Sequence, residues 1–305
     1  MRISLVHNPT AGDGQDIDEV VKLLTDAGHE VRHRSSKGDW KKLLQDPGDV
    51  VVAAGGDGTV RKVALAAADR ELPFAALPIG TANNIAKSLG ALGSVSELIA
   101  GWRRAERRRL AVGKVMTRWG SMRFVESVGV GVFTELVSRG NAEVNESSTG
   151  LTGHAIDRAL LLLQRIVAER APRFRRLALD GSDLSGEYLL VEVMNLPLVG
   201  PNIPLAPGAD YGDGQLEIVT VIERERQALA EYVGARLSGG AAPPVLTTRR
   251  AARVTMRASP GELHVDDEAW RPEPPADEEA EEPGTAEGEV TIELEDTAVE
   301  ILVGT

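Results

Sequence analysis

The 305-residue sequence contains no cysteine, which removes disulfides, thiolate metal sites and a cysteine nucleophile without fixing a compartment. It also lacks any long apolar run. The stretch Ala159–Leu163, between Arg158 and Gln164, is far too short to span a bilayer. At the start, Met1–Val6 leads straight into His7-Asn8-Pro9, a short strand and a turn with no signal-peptide core, so a cytoplasmic chain is expected. A basic surplus is missing as well. The net charge is −12, but residues 266–305 hold fifteen Asp and Glu against Arg271 alone, a local −14 that leaves +2 for the other 265 residues. Phosphate neutralisation by Lys and Arg dominates nucleic-acid affinity, so DNA and RNA are not expected partners. The basic runs Arg103–Arg109 and Arg170–Arg176 read as solvated faces flanking strands, with peripheral contact at the inner membrane surface as the alternative.

With 42% hydrophobic residues, the chain has enough apolar surface for two cores, and two domains are expected. Residues 1–106 alternate short apolar runs with helical patterns: strands at Ile3–Val6, Glu30–Arg34, Val50–Ala54 and Phe74–Pro78, and helices through Val20, Leu24 and Val60–Ala68. That alternation predicts a Rossmann-like parallel α/β domain, whose ligands sit at the carboxyl ends of strands. Residues 107–270 change to strands in succession, Arg109–Met116, Arg123–Val132, Arg175–Asp180, Glu187–Asn195, Leu216–Val221 and Arg253–Ala258, with helices near Gly153–Arg170 and Arg226–Leu237. This pattern predicts a mostly antiparallel, β-rich domain. Residues 271–288, rich in Pro, Glu, Ala and Gly, read as a flexible acidic loop. Strand alternation resumes in residues 289–305, at Val290–Leu294 and Val299–Val303.

Three loops that follow three apolar strands carry small residues where a phosphate needs close access to the backbone. After the first strand comes Asn8-Pro9-Thr10-Ala11-Gly12, where Pro fixes the turn, Gly admits close approach and Asn offers an amide. After Val50–Ala54 comes Gly55-Gly56-Asp57-Gly58-Thr59, opening into a helix whose N–H groups and dipole can hold anions. The plainer alternative is a tight glycine turn with Thr59 as an N-cap. After Phe74–Pro78 comes Ile79-Gly80-Thr81-Ala82-Asn83-Asn84, again entering a helix.

In this order, the three loops resemble those of the diacylglycerol kinase catalytic domain family, which includes sphingosine kinases and bacterial YegS-like lipid kinases. The resemblance runs nearly end to end. It implies an NAD kinase/diacylglycerol kinase-like fold with a sandwich-like second domain, and an ATP-dependent kinase acting on a lipid acceptor such as diacylglycerol or a sphingoid base. In that family an NPxxG turn, a GGDGT loop and a PxGTxND loop cradle ATP. The match places Asn8, Gly12, Gly56, Asp57, Gly58, Thr59, Gly80, Thr81 and Asn83 at the nucleotide, with Asp57 as the catalytic, metal-linked carboxylate. Asn195-Leu196-Pro197, Gly200-Pro201-Asn202-Ile203, Leu205-Ala206-Pro207 and Gly212-Asp213-Gly214-Gln215-Leu216 resemble the mid-domain signature. YegS-like members bind Mg²⁺ there, which makes Asp213 the carboxylate ligand, with carbonyls from Asp210 and Gln215. An Asp-Gly turn between strands reads equally well. Oxygen-only ligation suits Mg²⁺ or Ca²⁺.

His264-Val265-Asp266-Asp267-Glu268 resembles the DGE motif, which makes Glu268 the general base on the acceptor hydroxyl. Asp267 stands where the family has glycine, an exchange that suits Asp only if the backbone there admits it. The alternative is the acidic start of the following loop. Two departures bear on catalysis: the third-loop aspartate is Asn84, and the carboxylate expected one strand later is Ala111. They keep open a nucleotide-binding member with weak or no kinase activity. NAD kinases share the GGDGT loop, but the third loop, GTANNIAKSLG, is close to the lipid kinases' GTANDFAR, and no Gly-Ser-Thr-Ala-Tyr counterpart occurs. Gly55–Thr59 also misses the GxGxxG spacing of a dinucleotide oxidoreductase. A homodimer is left open.

Overall fold

The computed structural model describes residues 1–11, 16–144, 152–240, 245–270 and 287–303. The expected acidic loop therefore lies outside the described residues except for Glu287 and Gly288. The chain forms two compact units. The first comprises Met1–Val112, Gly150–Gly153 and Asp296–Thr305, and the second Gly113–Thr149 and His154–Glu295. Among the described residues, no helix is long and apolar enough to cross a membrane.

In the first unit, β1 (Arg2–His7), β2 (Glu30–Ser35), β3 (Val50–Gly55) and β4 (Phe74–Pro78) form a parallel sheet in the order β2-β1-β3-β4. Every residue of β3 is buried, as a strand covered on both faces requires. Helix α1 (Ile17–Asp26) starts at Asp16, whose carboxylate accepts the Asp18 N–H, and it buries Val20 and Leu24 against one face of the sheet. Helix α2 (Asp57–Ala68) follows β3, and the five-residue α3 (Asn84–Ser88) follows β4. Helix α4 (Val95–Gly101) was not foreseen. Its signal was present in Ser94-x-x-Glu97, which forms a full capping box.

The order β2-β1-β3-β4 reverses direction between β1 and β3. At such a switch point the loops leaving neighbouring strands diverge and open a crevice at the carboxyl ends. The loops after β1 and β3 are the first two loops identified from sequence.

The second unit begins within β5 (Glu106–Thr117), which pairs with β6 (Gly120–Phe124). The single strand expected at Arg123–Val132 is two: β6 ends at Phe124 and β7 (Ser127–Gly131) begins after Val125-Glu126. After β7 comes α5 (Val132–Val144), unforeseen because Val132-Phe133 extends an apolar strand pattern; Gly131, at φ 107°, turns the chain into it. Helix α6 (Thr152–Glu169) leads to β8 (Arg173–Arg175) and β9 (Leu177–Leu179), then β10 (Ser182–Asp183), β11 (Gly186–Tyr188) and β12 (Leu190–Met194). There follow β13 (Leu216–Val221), α7 (Arg226–Leu237), β14 (Thr247–Ala251), β15 (Arg253–Ala258), β16 (Leu263–Val265), β17 (Glu268–Ala269) and β18 (Gly288–Val303).

One antiparallel sheet has the order β14-β13-β12-β7-β16-β17. A second runs β10-β9-β15 and on to the first half of β18. Alternate residues sort onto two faces, as strand geometry dictates. Val128, Val130, Val191, Val193 and Ile218 pack with Leu177, Val254, Met256 and Ile292 between the sheets, which makes a sandwich. Leu190, Met194, Val219 and Val221 face the other way and pack with Phe133 of α5, Leu163 and Ile166 of α6 and Val233 of α7. The two C-terminal strands expected from sequence are one, β18, whose last residues lie in the first unit, with Ile301 beside Phe74 of β4.

Candidate active site

Backbone contacts bring the three loops of the first unit together. The Asn8 N–H donates to Ala54 O (3.0 Å), joining the turn after β1 to the end of β3, and the Ile79 N–H donates to Gly55 O (3.3 Å), joining the ends of β3 and β4. Asn8 Oδ1 accepts from the Thr10 N–H and hydroxyl, both at 3.1 Å, so its amide also shapes the turn. Gly12 lies outside the described residues.

The closest approach is between two glycines. A β-carbon on Gly80 would lie 2.2 Å from Gly56 Cα and 2.7 Å from Gly56 N, a separation no side chain survives. The loop after β4 is held in that position by Asn83, which sits in the left-handed region at φ 56°. Its Oδ1 accepts the Gly80 N–H (2.9 Å) and its Nδ2 donates to Gly80 O (2.7 Å). Asp57 fastens the next turn, Oδ1 accepting the Ile85 N–H of α3 at 2.8 Å.

Helix α2 therefore begins at two glycines. Its N-cap is Gly56, with no side chain to satisfy the first N–H groups of the helix, and those donors and the dipole favour an anion. Thr59 is not the N-cap: it lies inside the first turn, buried, where its Cβ faces Gly55. Thr81 is exposed, and Asn83 and Asn84 are buried. Just before the first loop, burial and then the neighbouring His33 push the His7 imidazole below its ordinary value, favouring the neutral ring.

In the second unit, the Asp210, Asp213 and Gln215 set is closed by its own contacts. Asp213 Oδ1 accepts the Gln215 N–H (2.9 Å), its other oxygen pairs with the Arg250 guanidinium, and Asp210 O accepts the Asp213 N–H (3.2 Å). Arg250 also reaches Glu217 at 3.3 Å; burial pushes that carboxyl above its ordinary value, and Arg250 opposes the shift. As arranged, a cation at Asp213 would have to displace the Arg250 guanidinium from a surface ion pair. Among the described residues, no group of three or more His, Cys, Asp or Glu gathers as a metal site.

Glu268 is exposed at the start of β17, directly across from Val265 of β16. The positive φ in the intervening turn belongs to Asp266 (φ 52°), where the sequence pointed to Asp267. Asp266 is also the buried member of the acidic cluster. Its carboxylate accepts the N–H groups of Val125 (3.1 Å), Glu126 (2.7 Å) and Ser127 (3.1 Å), and its own N–H donates to Ser127 O (2.8 Å). Asn195 completes this arrangement: its N–H donates to Glu126 O (2.9 Å) and its Nδ2 to Val125 O (2.8 Å). The contributions of Asp266 and Asn195 had no sequence signal, because their partners lie 141 and 70 residues away.

The family model of the diacylglycerol kinase catalytic domain matches residues 2–115, and that of the YegS C-terminal NAD kinase beta sandwich-like domain matches residues 137–286. The diacylglycerol kinase of Bacillus subtilis (strain 168) is 25% identical over 248 residues, covering 76% of this chain and 76% of its own length. A Cronobacter sakazakii protein named "Probable lipid kinase YegS-like" is 39% identical over 94 residues, 28% of this chain and 31% of its own length. A crystal structure of a diacylglycerol kinase from Bacillus anthracis str. Sterne superposes with a TM-score of 0.70 at 19% identity, covering 99% of this chain and 97% of that one, which shows a shared fold.

Proposed function

Because the chain belongs to the diacylglycerol kinase family, with a catalytic domain followed by the YegS-type C-terminal domain, we propose that it transfers the γ-phosphoryl group of ATP to the hydroxyl of a lipid acceptor such as diacylglycerol or a sphingoid base. One observation carries this reading. Gly56 and Gly80 pack backbone to backbone at the uncapped start of α2, beside the switch point of a parallel sheet, a place suited to the triphosphate.

The Gly56–Thr59 segment binds the phosphates, with Asn8, Gly12, Gly80, Thr81 and Asn83 shaping the rest of the nucleotide site. Asp57 would hold a Mg²⁺ ion together with the phosphates of ATP, and that ion would supply neutralisation of the charge that develops on transfer. Asp57 suits that role, since an Mg²⁺ ion bound to phosphates needs only one or two carboxylates and keeps several waters. Glu268 takes the proton as the acceptor oxygen bonds to the γ-phosphorus, and the bond to the β–γ bridging oxygen breaks to release ADP. No step is assigned to a cation at Asp213. The protein works in the cytoplasm and meets its acceptor at the inner membrane surface.

A second reading, a nucleotide-binding member with weak or no kinase activity, rests on Asn84 and Ala111, which bring no charge where the family has aspartates. One assay separates the two. The protein is incubated with γ-labelled ATP, Mg²⁺ and a total lipid extract, and labelled products are identified by mass spectrometry. A labelled phospholipid that requires Mg²⁺ is expected. ATP binding by calorimetry without any labelled lipid sinks the kinase reading and leaves the second.

A further inference from the structure

Deep in the second unit, three polar side chains meet on the helix-covered face of the six-stranded sheet, where their neighbours are apolar. Glu192 of β12 is 0% exposed, His264 of β16 1% and Thr134 of α5 5%. Glu192 pairs in register with Gly129 of β7, and Gly129 pairs with His264, so the three residues form one row across three strands. The glycine makes the row possible. A β-carbon there would lie 2.0 Å from Glu192 Oε2 and 2.9 Å from His264 Cε1, so Glu192 and His264 meet over the gap, Oε1 to Nε2 at 3.1 Å.

Donor counting fixes most of the protons. Thr134 has one hydroxyl proton, and it goes to Gly129 O at 3.0 Å, because a carbonyl only accepts. The hydroxyl oxygen, 3.0 Å from His264 Nδ1, must then accept, which places a proton on Nδ1. A single further proton lies between Nε2 and Glu192 Oε1. The pair is an imidazolium with a carboxylate or an imidazole with a carboxylic acid; both sum to zero charge, which suits an apolar surround.

His264 begins the run that ends at Glu268. Two residues further on, Asp266 is fastened by three backbone N–H groups, and the turn to β17 follows. Chain between two buried anchors has little freedom, and β17 is a two-residue edge strand whose pairing partner is β16. We propose that the Glu192–His264–Thr134 row is a positioning device that fixes strand β16 and, through it, the placement of Glu268. This rests on Glu268 being the base of the proposed reaction. The three residues are positioning residues; none needs to touch substrate.

The test uses the full chain with Glu192→Ala, Glu192→Gln, Glu268→Gln and the double change Glu192→Ala with Glu268→Gln. Glu192→Gln can still donate an N–H to a bare His264 Nε2, so it retains the row without the shared proton. Glu192→Ala is expected to speed amide exchange in residues 263–269 and to lower kcat by on the order of 10- to 100-fold, with ATP affinity unchanged. Glu192→Gln recovers most of that loss. The double mutant is expected to turn over no more slowly than Glu268→Gln alone, since the row acts through Glu268. Unchanged exchange in residues 263–269 overturns the hold on the strand. Faster exchange with wild-type kcat, or losses that multiply in the double mutant, overturns the link to Glu268. An unchanged kcat in Glu268→Gln overturns the base assignment itself, and the exchange result separates that failure from the others.

Discussion

The two units spend their polar residues in opposite ways. In the first unit the candidate site is built from glycines and main chain: Gly56 against Gly80, an uncapped helix start, and one carboxylate, Asp57, with an oxygen on the Ile85 N–H. In the second unit several carboxylates are met by the protein itself. Asp213 is held by Arg250, Asp266 by three backbone N–H groups and Glu192, which no sequence motif marks, by His264, while Glu268 lies exposed at the start of β17. A main-chain cradle suits a ligand that brings its own charge, as a triphosphate does. The buried carboxylates Asp266 and Glu192 instead hold a turn and a strand row.

The contrast breaks hardest at the glycine contact. Gly80→Ala forces a methyl group to within 2.2 Å of Gly56 Cα, so the loops must part. Calorimetry is expected to find no ATP binding, and urea unfolding a loss of about 1–3 kcal/mol. Wild-type binding in that variant means the cradle tolerates separation.

A smaller effect is expected from restoring charge. Asn84→Asp with Ala111→Asp gives Asp57 two further carboxylates, and across a Mg²⁺ titration kcat is expected to rise severalfold with a lower Mg²⁺ requirement. A slower double mutant means that other ligands have replaced the family's network.

Acid is expected to sharpen the comparison least but to separate the units cleanly. His7 is pushed below 6.5 by burial and then by His33, and His29 by burial, then by the N-terminal amine and Arg103. Both favour the neutral ring in the folded state. The unfolded chain then binds more protons below pH 6.5, and the stability these residues contribute is whole above that pH and declines beneath it. For Glu262 in the second unit, burial would raise the carboxyl, but the Arg175 and Arg173 guanidiniums and the Ser259 N–H hold it down to about 2 from 4.5. Its contribution is present above pH 4.5 and is lost as pH falls towards about 2. Limited proteolysis across pH, mapped by mass spectrometry, is expected to open the first unit before the second. The reverse order contradicts these assignments.

Sequence legibility follows the same division. The strands β1, β3 and β4 and the loops after them are apolar runs followed by small residues, so spacing revealed them, whereas the Asn83–Gly80 contact, local as it is, was not read from the pattern. The Asx turn at Asn8 is local too. In the second unit the deciding partners lie far apart in sequence: 37 residues from Asp213 to Arg250, 72 from Glu192 to His264 and 141 from Val125 to Asp266. Glu192 is the one polar residue in the otherwise apolar run Leu190–Met194, and no linear pattern names the partner that covers it. Helix α5 was hidden for a related reason: its first residues continue the apolar run of β7, and only the positive φ at Gly131 breaks it.

The central claim is that the phosphates of ATP occupy the start of α2, and Gly58→Asp tests it most directly. Position 58 lies in the first turn of the helix, where a carboxylate complements the helix dipole, so the fold is expected to keep its melting temperature. The same carboxylate puts negative charge and bulk where the phosphates approach. Titrating ATP into this variant by calorimetry is predicted to give no measurable binding in a fully folded protein. Wild-type affinity for ATP would contradict the account.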